Sequence, residues 1–331
     1  MKAIIPVAGV GTRLRPHTYT QPKPLIPVAG KPIIAFIIDA LIEAGVHDFV
    51  FVIGYLGEKI QLFVETAYPN LKKTFVEQPV RDGLGHAIWT ARQELTHCKE
   101  ILIVLGDTVF EMNLKAQLKK KQSWVGVKEV GDPREFGVVE LDEAQQVRRV
   151  VEKPRIPKSN LALVGLYKIS EVKALIDILD DNIRNNRRSR GEFQLADALT
   201  QLVQSGVKIA AVPVATWFDC GKKEILLDTN KTLLEKQGLY NVDLPPFDNT
   251  IIVHPVSIHP NCQITDSIIG PYVSIGEGTE IKSSILKNSI IGSFTQLDGV
   301  MLERSIIGND TAIRGARQSL NIGDNTEIDF S

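Results

Sequence analysis

Residues Ala3–Pro16 read AIIPVAGVGTRLRP, and the two halves of this stretch ask for different structures. Ala3–Val7 is a short, uncharged apolar run of strand length, which reads as a buried strand. Ala8-Gly9-Val10-Gly11 ends the run, and Thr12-Arg13-Leu14 follows. Glycines placed directly after a first buried strand let backbone amides converge on an anion, and an arginine adds a planar fork of donors matched to phosphate oxygens. Two common nucleotide loops are excluded. Leu14 stands where a dinucleotide fingerprint has its third glycine, and no Gly-Lys-Ser/Thr follows. Further on, Gln21-Pro22-Lys23-Pro24-Leu25 encloses Lys23 between prolines, which restrict its backbone and suit an ammonium held at one fixed point.

Outward from this start, strand-like and helix-like segments alternate. Ile33–Ala44 has helix length, and Gly45 stops it. Phe49–Ile53 is β-branched and aromatic and reads as strand; Lys59–Thr66 and His86–Glu94 read as helices, and Ile101–Leu105 as another buried strand. Continuous apolar strands alternating with helices predict an α/β fold, a Rossmann-like, mainly parallel sheet covered on both faces. Val125–Val151 alternates like an inserted antiparallel piece, and helical patterns return at Val172–Leu179, Gln194–Gln204 and Lys223–Gln237. Asp243-Leu244-Pro245-Pro246-Phe247-Asp248 then reads as a linker, which divides a first domain at 1–240 from a second at 248–331.

The second domain is different in kind. Ser-Ile-Ile-Gly occurs at Ser267–Gly270, Ser289–Gly292 and Ser305–Gly308. Aliphatic residues recur at six-residue steps: Ile252, Ile258 and Ile264; Ile269, Ile275 and Ile281; Ile285, Ile291 and Leu297; Ile307 and Ile313; Ile322 and Ile328. Glycine follows at Gly276, Gly292, Gly308 and Gly323. This hexapeptide pattern predicts a left-handed parallel β-helix whose aliphatic residues point inward at the corners of triangular coils. Ordinary hairpins do not keep a six-residue step over such a length.

Composition narrows the function. Hydrophobic residues make up 44% of the 331 and charged residues 23%, enough for a sizeable core. Lys and Arg number 38 against 39 Asp and Glu, so there is no polybasic surface for nucleic acid. Cys98, Cys220 and Cys262 form no CxxC, which argues against a zinc site or a disulfide framework and for a reduced, cytoplasmic setting. No stretch approaches the roughly 20 apolar residues of a membrane span, and the amino terminus reads as a first strand, not a signal peptide. The six histidines show no metal-ligand spacing. Trp89 and Trp124 read as core, and Arg187-Arg188-Ser189-Arg190 as a solvated loop.

Several short motifs remain, in order along about 220 residues. Gly9-x-Gly11-Thr12-Arg13-Leu14, Pro22-Lys23-Pro24-Leu25 and Lys31-Pro32 together resemble the signature of the sugar-1-phosphate nucleotidylyltransferases. Glu77-Gln78-Pro79 with Gly83-Leu84-Gly85-His86-Ala87 resembles the base-recognition segment of the glucose-1-phosphate thymidylyltransferases and their uridylyltransferase relatives. Leu105-Gly106-Asp107 and Trp217-Phe218-Asp219-Cys220-Gly221 resemble that family's two metal-aspartate turns. Phe136-Gly137-Val138-Val139, Val151-Glu152-Lys153-Pro154 and Gly165-Leu166-Tyr167 resemble its sugar-phosphate segments.

The resemblance implies a reaction and roles. A sugar 1-phosphate would attack a nucleoside triphosphate and release pyrophosphate. Arg13, Lys23, Asp107 and Asp219 would be catalytic, with Asp107 and Asp219 holding Mg2+. Ala8, Gly9, Gly11, Thr12, Arg13, Gln78 and Gly83 would bind the nucleotide. Gly137, Glu152, Lys153, Gly165 and Tyr167 would bind the sugar phosphate. Physical chemistry is compatible: nucleotidyl transfer needs positioning and charge neutralisation more than a covalent nucleophile, and magnesium takes few carboxylates besides phosphate oxygens. By themselves, Asp107 also reads as a polar turn residue, Asp219 as a helix N-cap, and Gln78 as a surface side chain. The expected substrates are dTTP, with UTP second, and glucose 1-phosphate; a GDP-mannose type enzyme, a silent regulatory subunit and a bifunctional acetyltransferase are the alternatives. The β-helix is expected to assemble a homo-oligomer.

Overall fold

Four parallel strands carry the amino-terminal unit, and three of them are built from the apolar runs read above. Lys2–Pro6 lies between Ile101–Val104 and Asp48–Ile53, with Lys72–Glu77 beyond. The ILIV of Ile101–Val104 is buried at every position, as a strand covered on both faces must be. On the other side of Ile101–Val104 the sheet turns antiparallel through Leu161–Ile169, which pairs Leu166 with Val104 and Tyr167 with Ile103. Gly137–Leu141 and Val147–Glu152 follow as a hairpin, and Ser123–Glu129 pairs with both Leu161–Ile169 and Ile209–Pro213. Lys72–Glu77 and Ile209–Pro213 are strands that the apolar pattern did not announce: Lys72–Glu77 carries no fully buried residue.

The computed structural model of the chain describes residues 1–238 and 244–315. Asp243 of the expected linker and the hexad residues Ile322, Gly323 and Ile328 lie outside the described residues. The chain forms two compact units: Met1–Pro27 with Lys31–Thr229, and Val28–Gly30 with Asn230 onward.

Most predicted elements are present with shifted ends. The helix Ile33–Glu43 buries Ile33, Ile34, Ile37, Ile38 and Leu41, one face at three- and four-residue spacing. The helix expected over His86–Glu94 is instead two, Leu84–Thr90 and Arg92–Leu95, interrupted at Ala91.

In the second unit, short strands stack into three parallel sheets, the three faces of a left-handed β-helix. Ile258, Ile275, Ile291 and Ile307 stack in register on one face, and Ile264, Ile281, Leu297 and Ile313 on another. On the third face the inward row is Ile252, Ile269, Leu286 and Leu302. Ile285, expected inside, is 39% exposed, and its neighbour Leu286 is fully buried. The reason is arithmetic: paired residues lie 17 apart from Ile269 to Leu286 and 16 apart from Leu286 to Leu302, less than three whole hexads, so the register slips at the corners.

The three faces differ on their outer sides. One carries polar residues such as Gln263, Glu280, Lys282 and Gln296. On a second, Ser274 is buried by Asn230, whose Oδ1 accepts from the Ser274 hydroxyl at 2.6 Å and from the Ala29 amide at 2.8 Å, while its Nδ2 donates to the Tyr272 carbonyl at 3.0 Å. The third presents an exposed apolar ladder, Ile251, Ile268, Ile285 and Met301, paired in register from coil to coil.

Candidate active site

The site gathers at the carboxyl ends of the parallel strands, where an open α/β sheet leaves its ligand crevice. After Lys2–Pro6 the loop passes through Gly11 at φ 67°, a left-handed conformation suited to glycine, into a short 3-10 turn over Thr12–Leu14. Gly9 has open space where a side chain would be. After Ile101–Val104 the chain turns through Gly106 to Asp107. Gly106 sits against Val7, so close that an added Cβ would lie 2.2 Å from the Val7 side chain.

Asp219 reaches the same place by a different route. Thr216–Asp219 is a strand, paired antiparallel with Thr108–Glu111 so that Asp219 faces Thr108. The Cys220 amide donates to the Asp107 carbonyl at 3.1 Å and closes the ribbon. Asp219 is therefore the last residue of a strand, and the N-cap alternative falls away, because the next helix starts only at Lys223. Two aspartates far apart in sequence are thus brought together by one two-stranded ribbon.

Lys23 lies between them. Its ammonium donates to Asp107 Oδ2 and stands 3.5 Å from Asp219 Oδ1. The residue is 8% exposed, and burial alone would lower its pKa; the two carboxylates outweigh that and raise it. Burial would likewise lift Asp107, but the Lys23 ammonium hydrogen-bonded to it, with Arg13 beyond, holds its carboxyl below the usual range. Asp219 shifts the other way. Burial and the neighbouring Asp107 charge raise it, and Lys23 and Arg13 offset only part. Arg13 Nη2 is 3.7 Å from Asp219 Oδ2, and Arg13 Nη1 is 4.0 Å from Glu135 Oε2.

Two adjoining hollows open on this cluster. The first, about 440 Å³, is lined by Ala8, Gly9, Gly11, Thr12, Arg13 and Lys23 at one end and by Gln78, Arg81, Gly83 and Leu84 at the other. The second, about 250 Å³, is lined by Gly137, Glu152, Lys153, Gly165, Tyr167, Trp217 and Asp219. Arg13, Leu84, Leu105, Asp107 and Glu192 line both. Every residue assigned to nucleotide binding in the sequence lies on the first, and every residue assigned to the sugar phosphate on the second.

In the first hollow Gln78 is 4% exposed, so it is no surface side chain. Its Nε2 donates to the Gly83 carbonyl at 3.3 Å and meets His86 Nδ1 at 2.9 Å. In the second, burial raises the Glu152 carboxyl above its ordinary pKa, with Lys153 and Arg190 partly opposing. Tyr167 is buried and its phenol is raised also, first by burial and then by Glu152 and Asp107. Phe136 packs edge-on against Trp217 at 4.9 Å between ring centres, and the Trp217 indole N–H is buried without a partner. The Cys220 thiol beside Asp219 is pushed up to about 12 by burial, which leaves no reactive thiolate there.

Some site residues carry no assignment from the sequence. Glu135 holds Lys222 at 2.6 Å and faces Arg13; Glu192 lines both hollows; Arg81 lines the first. Glu135 and Arg81 belong to no spacing pattern, whereas Gly191-Glu192 resembles a loop of the nucleotidylyltransferases near the sugar. The Arg187–Arg190 segment is an exposed loop, as expected, but its arginines have partners. Arg188 grips Asp82 with both terminal nitrogens, Nη2 to Oδ2 at 2.7 Å, and lies over the Phe193 ring at 4.2 Å, while Arg190 donates to the Lys153 carbonyl. The segment therefore ties the two sides of the site together. Those partners were not legible in the charge run because they are distant in sequence.

Known proteins resemble this chain in sequence and fold. The chain is 39% identical over 240 residues to the bifunctional protein GlmU of Methanocaldococcus jannaschii, covering 71% of this chain and 55% of that protein. It is 30% identical over 323 residues to a glucose-1-phosphate thymidylyltransferase of Streptomyces antibioticus, covering 88% and 87%. Among solved structures, a UDP-glucose pyrophosphorylase complexed with UDP-glucose superposes with a TM-score of 0.63 at 25% identity, over 71% of this chain and 98% of that one. A family model described as nucleotidyl transferase matches residues 2–236. That match takes in every residue lining both hollows, and the chain belongs to the nucleotidyl transferase family.

Proposed function

We propose that this protein joins a sugar 1-phosphate to a nucleoside triphosphate and releases pyrophosphate. The observation that carries the reading is the pair of hollows sharing Arg13 and Asp107. Two substrates seated side by side there present their reacting phosphates to one cluster of charge. An oxygen of the sugar phosphate attacks the α-phosphorus, a new P–O bond forms, and the bond to the pyrophosphate oxygen breaks on the opposite side. Lys23 and Arg13 balance the charge of the triphosphate and of the leaving group; Lys153 holds the sugar phosphate; Glu152 and the unpartnered Trp217 N–H engage sugar hydroxyls. The sugar phosphate is already an anion at neutral pH, so no general base is needed.

Asp107 and Asp219 fit a Mg2+ ion. They are hard oxygen donors brought together by the ribbon, and a pair of carboxylates suits an ion that completes its shell with water and phosphate. When bound, it would supply charge neutralisation on the phosphates. The convergence of Arg13, Lys23, Asp107 and Asp219 weighs against a silent regulatory subunit.

We favour dTTP and glucose 1-phosphate as substrates, on the Gln78 segment and the likeness to the Streptomyces thymidylyltransferase. UTP is the second reading, favoured by the likeness to UDP-glucose pyrophosphorylase. Pyrophosphate release measured over a grid of nucleoside triphosphates and sugar 1-phosphates tests this. A pyrimidine triphosphate should win, and a strong preference for ATP or GTP overturns it. We place the reaction in the cytoplasm, in keeping with free thiols at Cys98, Cys220 and Cys262. No helix among the described residues is long and apolar enough to cross a membrane.

We also propose that the β-helix binds a second copy of this chain through its apolar ladder. Ile251, Val253, Ile268, Ile285 and Met301 are all exposed there, a contiguous apolar row of the kind that marks a protein interface. Lys287 and Glu303, paired with each other at 3.1 Å at one end of that face, leave no unbalanced charge there to oppose a second copy.

A further inference from the structure

The amide of Gln78 has two ends, and only one of them is tied down. Nε2 has an acceptor at the Gly83 carbonyl, 3.3 Å away, and a second partner at His86 Nδ1, 2.9 Å away. A carbonyl can only accept, so the nitrogen of the carboxamide must be the atom on that side. His86 Nδ1 must then accept as well and carry no proton. With Nδ1 accepting, the proton of the neutral ring is on Nε2. What remains for the hollow that Gln78 lines is its oxygen, Oε1.

We infer that His86 is a positioning residue for base selection: by accepting the Gln78 amide proton it turns the Gln78 oxygen to the base, so the site takes a pyrimidine with a ring N–H and refuses one with a bare ring nitrogen. This rests on the reading that the nucleotide base sits at Gln78. Uracil and thymine carry a proton on N3, which Oε1 accepts. Cytosine has a lone pair at N3, and two acceptors face to face repel. Flipped by half a turn, the same carboxamide would offer N–H and reverse the preference. Nothing in glutamine chooses between the two; Gly83 and His86 do.

The device depends on the charge of His86. A protonated imidazole has an N–H at Nδ1, and that would stand 2.9 Å from the Gln78 NH2, donor against donor. The carboxamide must then rotate. The ring is half-buried between Trp89, 5.7 Å away, and Phe193, 6.3 Å away. The charged groups around it are Asp82, Arg188 and Arg92; Asp82 favours the protonated ring, and both arginines disfavour it. Asp82 is itself held by Arg188. Burial of the ring adds to the arginines and keeps His86 neutral below its ordinary pKa, so base selection holds through neutral pH and fails only at the acid end.

The test is kcat/KM for dTTP, UTP and CTP, measured across acid to neutral pH in the wild type, His86→Ala, His86→Gln and Gln78→Ala, each checked by circular dichroism. His86→Ala should lower the preference for dTTP or UTP over CTP about tenfold, the size of one misplaced hydrogen bond, with KM for the sugar 1-phosphate unchanged. His86→Gln can again accept from Gln78 and should restore the preference while removing its loss at acid pH. The ratio between nucleotides is an internal control against a merely weakened fold. If His86→Ala keeps the wild-type ratio at every pH while Gln78→Ala raises the triphosphate KM, the inference about His86 is wrong and the reading of the base site stands. If Gln78→Ala leaves the triphosphate KM unchanged, the base does not sit there and both fall.

Discussion

Lys23 is the residue on which the charges of the site turn. Its ammonium faces two carboxylates, one held below the ordinary range and one raised above it. Asp107→Asn and Asp219→Asn should each cost about a thousandfold in turnover, since charge stabilisation of several kcal/mol is lost, while circular dichroism stays that of the wild type. A variant with near-normal kcat at ordinary Mg2+ would mark that aspartate as structural. Glu152 allows a pH test away from the ion. Its pKa is raised in the fold, so the stability it contributes is full below the unfolded carboxylate pKa and is lost as pH rises through the raised folded value. Glu152→Gln has no such loss. The Tm of Glu152→Gln minus that of the wild type should therefore grow from pH 4 to pH 7; a difference constant with pH removes Glu152 as a strained buried acid. Arg13, Lys23, Asp107 and Asp219 were readable because glycines, prolines and turn residues frame them locally. Glu135 and Arg81 were not, because what qualifies them is proximity across the fold.

The elements show the same division. Strands such as Ile101–Val104 were plain from their apolar runs, while Lys72–Glu77, with no fully buried position, had no such signal. Hexads gave the β-helix but not which of Ile285 and Leu286 points inward, since the shortened coil fixes that only when stacked on its neighbours. The ribbon of Thr108–Glu111 and Thr216–Asp219 was invisible for a related reason: the pairing spans distant sequence, and Trp217–Gly221 alone reads as a turn. Gly106 anchors this ribbon at the sheet. Gly106→Ala should destabilise by about 1–3 kcal/mol through the clash with Val7 and lower kcat by displacing Asp107. Val7→Ala in the same chain should recover part of both. Additive losses in that double variant, read by thermal melting and pyrophosphate release, would show that the contact is not the cause.

At the scale of the whole molecule, every residue lining the two hollows precedes Lys222, so chemistry should not need the β-helix. A chain ending after Gly238 should still release pyrophosphate and show a lower subunit count by light scattering. It should also melt earlier, because Asn230, wholly buried in the intact chain, loses Ser274 and Tyr272 and keeps only Ala29. In the intact chain, Ile268→Glu with Ile285→Glu should lower the subunit count without changing kcat. An unchanged assembly would refute the ladder as the contact, and a folded but inactive truncation would refute the division of labour. The ribbon, finally, bears on how such a chain can change length over time. Asp107 and Asp219 are fixed by the pairing of Thr108 with Asp219, not by how much chain lies between. Loops between the strands and helices of Asn113–Ala215 can lengthen or shorten without moving Asp107 and Asp219, whereas a single residue inserted inside the ribbon turns Asp219 to its other face. Changes of length therefore have those loops in which to accumulate, while the ribbon between them keeps its count of residues.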